Sequence, residues 1–122
     1  MYKKLFLFFI LYALHTYAYS APDEVALTNG GQQHDHYDYN SPADKPIVYY
    51  DDDNQEIILV ADGFVSSYDV DIVSLSTLQV VLFTAVNGYG DTIDVSTLPD
   101  DNYKIVISTP YNNIYEGYFT NY

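Results

Sequence analysis

Apolar and polar side chains alternate with a period of two along much of this chain. In Tyr68-Asp69-Val70-Asp71-Ile72 the two aspartates fall on one side of an extended strand, and Val70 and Ile72 fall on the other. On a helix the same aspartates would be spread around the circumference. Tyr103, Ile105 and Ile107 alternate with Lys104, Val106 and Ser108 in the same way, and Ile93 and Val95 alternate with Thr92, Asp94 and Ser96. This pattern predicts seven strands: Ile47–Tyr50, Glu56–Ala61, Ser67–Val73, Gln79–Val86, Asp91–Val95, Tyr103–Thr109 and Asn113–Phe119. Asp51–Asn54, Asp62-Gly63, Asn87-Gly88 and Pro99–Asn102 separate them, and these residue types close Asx turns or accept left-handed backbone. Two strands depart from clean alternation. Gln79–Val86 is apolar on both faces, which suits a central strand or one lying against a partner surface. Ile57–Ala61 is apolar on both faces too, and its inward side is ambiguous. Valine, isoleucine, threonine and tyrosine dominate, and no helix is convincing. Strands recurring about every ten residues between turn signals point to an all-β sandwich or a small barrel.

The N-terminal part has a different texture. Lys3 and Lys4 precede the uncharged apolar run Leu5–Leu14, and Ala18-Tyr19-Ser20 then supplies small residues. A bilayer core of about 30 Å needs roughly 20 apolar residues in a helix, so this run is too short to span it. It has the order of a signal peptide, residues 1–20, with cleavage expected after Ser20. Residues 21–45 are rich in glycine, glutamine, asparagine and aspartate. They read as a flexible polar leader, with a weak strand near Val25. Residues 46–122 form the expected sandwich domain, large enough for one modest core.

Charge and cysteine usage narrow the classes of function. The chain has 17 acidic residues against four lysines and no arginine, a formal charge of −13. Two of those lysines lie in the expected signal peptide, so the exported chain is more acidic still. Such a protein has no basic footprint for nucleic acid and no polybasic patch for anionic lipid. There is no cysteine. Disulfides, thiol catalysis and a lipid-modified cysteine are therefore all excluded, and the core alone must hold the domain. No membrane insertion is expected after signal removal.

Few constellations carry chemistry. His34 and His36 flank Asp35 in the leader; as a metal site they are weak without supporting partners, and a solvated linker is the better reading. Asp51, Asp52, Asp53 and Glu56 gather oxygen ligands that calcium could use, yet the spacing and glycine of an EF-hand loop are missing, and a charged hairpin turn explains them more simply. Asp69 and Asp71 form a carboxylate pair at glycosidase-like spacing on a face expected to be solvated. No serine-nucleophile or phosphate-loop motif is present. No cofactor is expected. The 15 tyrosines are the remaining peculiarity. Tyr89 and Tyr111 fall in turns, where tyrosine offers large contact area at low entropic cost, and are candidate partner-binding residues.

The order of these segments carries a resemblance. Asp-Val-Asp-Ile-Val at 69–73, Val-Val-Leu-Phe at 80–83, the run from Thr92 through Ile107, and Tyr115-Glu116-Gly117-Tyr118-Phe119 together resemble small exported immunoglobulin-like domains of Bacteroides-type bacteria, classed as domain of unknown function family 3244. The likeness covers residues 46–122. Leu98-Pro99-Asp100-Asp101-Asn102-Tyr103 resembles that family's Leu-Pro-x-Gly-x-Tyr corner, with Asp101 where glycine is usual. The resemblance implies an immunoglobulin/fibronectin-III-like antiparallel β-sandwich of about seven strands and transfers no catalytic residue. In the corner made by Leu98, Pro99 and Tyr103, the tyrosine ring is expected to be buried against Ile93 or Leu98, with its hydroxyl reaching backbone upstream. The function expected is a non-enzymatic module of the periplasm, cell surface or medium, binding an unknown protein or glycan or serving structurally. A C-terminal-type secretion sorting domain is the alternative, although only the leader precedes the strands where a cargo domain would be expected. A small carboxylate hydrolase is the remote one.

Overall fold

A computed structural model of the chain describes residues 21–30 and 43–122. Among these residues every regular element is a strand: β1 (Asp23–Val25), β2 (Thr28–Asn29), β3 (Ile47–Asp51), β4 (Glu56–Val60), β5 (Ser67–Ser74), β6 (Val80–Asn87), β7 (Gly90–Asp94), β8 (Asp101–Ser108) and β9 (Ile114–Asn121). They form two antiparallel sheets, one in the order β1-β3-β4-β7 and the other in the order β2-β9-β8-β5-β6. The strands from β3 to β9 coincide with the seven predicted from periodicity, with ends displaced by at most two residues.

The period of two decides what lies between the sheets. Val48 and Tyr50 of β3, Ile57 and Leu59 of β4, and Ile93 of β7 point inward from one sheet. Tyr68, Val70 and Ile72 of β5, with Tyr103, Ile105 and Ile107 of β8, face them from the other, all essentially inaccessible to solvent. The ambiguity of Ile57–Ala61 is resolved: Ile57 and Leu59 face the core, and Val60 lies outside with Ile47 opposite it on β3. At about 25 cal/mol per Å² of apolar surface removed from water, this interior is the main stabilising contribution in a chain without disulfides.

Three expectations need correction. The boundary at Pro46 is too late, because β1 and β2 lie within the stretch read as a leader. β1 pairs with β3, placing Val25 beside Val48, and β2 pairs with β9, placing Thr28 beside Glu116. The segment 23–29 thus straps the two sheets together, and Val25 joins the core. It crosses over Gly117, where any side chain would collide: a Cβ there would stand 2.6 Å from Val25 Cγ1 and 3.0 Å from the Ala26 carbonyl oxygen. Second, Gln79–Val86 is not central. Among the described residues β6 pairs with β5 only and forms the edge of the five-stranded sheet. Third, the Tyr103 ring packs on Phe119 at a centroid distance of 5.5 Å, and Phe119 stacks in turn on Tyr50 at 5.3 Å. Leu98 borders this cluster only partly buried. The hydroxyl does reach upstream, donating to the carbonyl of Pro99. The expected signal peptide, His34 and His36 lie outside the described residues.

Candidate functional site

Three connections meet at one end of the sandwich: the β4–β5 loop (61–66), the tight β6–β7 turn and the β8–β9 loop (109–113). Asp62 begins the first, its carboxylate accepting the Phe64 N–H at 3.1 Å. This Asx turn throws the Phe64 ring outward. The backbone then locks onto the neighbouring turn, with the Gly63 N–H donating to the Gly88 carbonyl at 2.9 Å and the Gly88 N–H to the Ser66 carbonyl at 3.0 Å. Gly63 has φ 83°, a conformation L side chains rarely adopt, and the Tyr89 ring occupies the space where a Cβ would stand. In the β6–β7 turn itself, Asn87 accepts the Tyr89 N–H at 2.9 Å.

The third loop is held from below. Asp44 is buried, and its carboxylate accepts from the Tyr115 hydroxyl at 2.6 Å, from Asn113 Nδ2 at 2.7 Å and from the Thr109 hydroxyl at 2.9 Å. Burial pushes its carboxyl up, but the bonds from Tyr115, Asn113 and Thr109 outweigh this and hold it below the ordinary carboxylate value. Tyr68 senses the same charge: burial first, then Asp44 and Asp62, raise its phenol. Thr109 in turn accepts the Tyr111 N–H at 3.3 Å. Tyr111 is thereby fixed beside Phe64, ring centroids 5.9 Å apart and tilted by 50°.

The result is an aromatic platform on three loops. Phe64 is 53% exposed, Tyr89 74% and Tyr111 61%. The sequence pointed to Tyr89 and Tyr111 but missed Phe64 and Asp44. Phe64 follows the turn signal Asp62-Gly63 directly, and an apolar ring next to such a signal is what could have revealed it. Asp44 carries no local signal, because its partners are 65 or more residues away in sequence.

The remaining candidates fall elsewhere. Asp51 uses its carboxylate within its own turn, accepting the N–H groups of Asp53 at 3.0 Å and Asn54 at 3.3 Å and the Asn54 side-chain amide at 2.8 Å. Asp52, Asp53 and Glu56 do not gather around it as a ligand set, and no group of three or more histidines, aspartates or glutamates among the described residues is placed to hold a metal ion. Asp69 and Asp71 point away from the core, opposite Ala85 and Phe83 on β6 and opposite Ser108 and Val106 on β8. At the far end, Asp101 stands where the corner motif has glycine. Its carboxylate accepts from the hydroxyls of Ser76 at 2.6 Å and Ser74 at 2.7 Å, tying the β5–β6 turn to β8. These two serine bonds, in that order, hold its carboxyl below the ordinary value. Asn121, fully buried, accepts the Tyr50 hydroxyl at 2.7 Å and donates to the carbonyls of Val95 and Leu98 at 3.1 and 3.3 Å.

The strand order, the tyrosine corner and the loops gathered at one end define an immunoglobulin-like β-sandwich of fibronectin-III-type connectivity, extended at its N-terminus by the two strap strands. Among solved structures, a protein of domain of unknown function family 3244 from Bacteroides vulgatus, with an immunoglobulin-like β-sandwich fold, superposes on this chain with a TM-score of 0.64 at 20% sequence identity, covering 84% of this chain and 100% of its own. The likeness is one of fold, and it agrees with the resemblance that the corner and strand motifs carry. No protein-family model matches the chain, and no curated protein matches it in sequence.

Proposed function

We propose that this chain is an exported, non-enzymatic immunoglobulin-like module that binds a protein or glycan through the platform of Phe64, Tyr89 and Tyr111. One observation carries this reading: three exposed rings from three separate loops converge at one sandwich end, each on a residue whose backbone N–H is held by a side-chain oxygen of its own loop. A cluster of exposed aromatic side chains is the kind of apolar patch that marks an interaction site, and such side chains lose little entropy on binding. Tyrosine and other aromatics dominate the energetics of known interfaces, and loops on a rigid scaffold commonly carry recognition. The basic and apolar start of the chain supports export, and its acidity supports a partner that is neutral or basic.

The test compares wild-type protein with the F64A/Y89A/Y111A variant. Both are immobilised and exposed to native envelope material, and separately to an array of surface glycans. Loss of a specific capture in the variant, with its β-type circular dichroism unchanged, is the expected result. Equal capture by both proteins, or capture by neither, removes the platform as a binding site.

A further inference from the structure

Among the described residues the sandwich has four strand edges, and three of them are protected. β1 is three residues long with two acids, β2 is two residues long, and β7 carries Asp91 and Asp94. Short length and charge are the usual means by which a sheet avoids pairing with another chain. β6 has neither. It is eight residues long, and from Leu75 to Gly90 the sequence contains no charged residue and no proline, in a chain with 17 acids. Its apolar side chains are left in water: Phe83 is 65% exposed, Val80 55% and Val81 40%. A bulge opposite Ile72/Val73 disturbs its first turn of pairing, but Leu82–Asn87 runs in regular register with β5 and offers an open ladder on its other side.

We propose that β6 is a homodimer interface, at which a second copy of this chain adds its own β6 antiparallel across a two-fold axis. The two five-stranded sheets then become one continuous sheet of twice the width. Charge selects this occupant and this place. Two copies of a chain of formal charge −13 repel over most of their surfaces. Antiparallel pairing of β6 with itself sets only uncharged residues opposite one another in any register, so no like charges face across the seam. It also covers Phe83 and its apolar neighbours from both sides. The two-fold pairing uses up both β6 edges, so assembly closes at a pair and forms no open fibre.

The test is sedimentation equilibrium of the full chain as purified from the cells that express it, over micromolar to millimolar concentration and at two ionic strengths. A monomer–dimer equilibrium is expected, tightening as salt screens the net negative charge. F83K and V81K, both at exposed positions, are each expected to weaken it by at least about tenfold, equivalent to about 1.4 kcal/mol. A second readout uses the absence of native cysteine: with the two-fold axis at Thr84, within the regular Leu82–Asn87 stretch, Thr84 faces its copy, so T84C is expected to form an intermolecular disulfide on mild oxidation, and T92C on β7 is not. A strictly monomeric protein at millimolar concentration, a dimer untouched by F83K and V81K, or equal cross-linking through T84C and T92C would each overturn the proposal.

Discussion

Tyr103 shows how one side chain closes the fold. Its ring lies between the sheets on Phe119, and its hydroxyl is satisfied by Pro99 four residues upstream. Tyr103→Ala is predicted to cost about 3–5 kcal/mol, as large-to-small core changes do, and Tyr103→Phe about 1 kcal/mol through loss of the hydrogen bond. Urea unfolding of the two variants separates these contributions; equal midpoints for Phe and wild type would show that the hydroxyl is idle. Asp44 is the second decisive residue. Its folded carboxyl lies below the ordinary value, so its stabilisation is complete above that value and is lost as pH falls through the lowered one. Asp44→Asn leaves one oxygen for three donors. It is predicted to destabilise by about 1–3 kcal/mol at neutral pH and to flatten the acid limb of the stability–pH curve. An unchanged acid limb would contradict the role given to it. Tyr103 was legible in the sequence because its motif is local, although the ring's partner was not, since Phe119 is brought to it only by the β8–β9 pairing. Asp44 was illegible because its surroundings read as solvated leader.

The buried faces of β5, β7 and β8 could be read from alternation because each buries a single face, and a period of two names that face without further information. β6 escaped this reading. An edge strand with apolar residues on both sides has the same pattern as a central one, and only the pairing distinguishes them. The strand near Val25 was anticipated and is β1, but its role as part of a strap with β2 was not. The strap's five strand residues contribute one buried side chain, Val25, and take their stability from backbone pairing to β3 and β9. Gly117 is the element's point of weakness. Gly117→Val is predicted to displace the segment around Val25 and Ala26, because Val25 Cγ1 belongs to a stiff β-branched side chain and the Ala26 carbonyl is backbone. Amide exchange should then accelerate at Asp23–Asn29 while β5 and β8 stay protected. Retained protection in the strap would show that the close approach is relieved without detachment.

For the whole molecule, surface and core divide the work. The core is apolar, free of disulfides and closed at its far end by Asn121 and the tyrosine corner. The surface is strongly acidic, with one long uncharged edge and one aromatic end. Stability is therefore predicted to rise with moderate salt at neutral pH, as self-repulsion among the exposed carboxylates is screened. A thermal midpoint that falls between low and physiological ionic strength would contradict that picture. The aromatic end is the claim on which the functional account depends. Its most direct measurement is hydrogen–deuterium exchange of the chain with and without the partner recovered on wild-type protein. Protection confined to residues 61–66, 88–90 and 109–113 is the predicted result, and protection centred instead on the far-end surface around Tyr118 and Tyr122, with these loops unchanged, would contradict it.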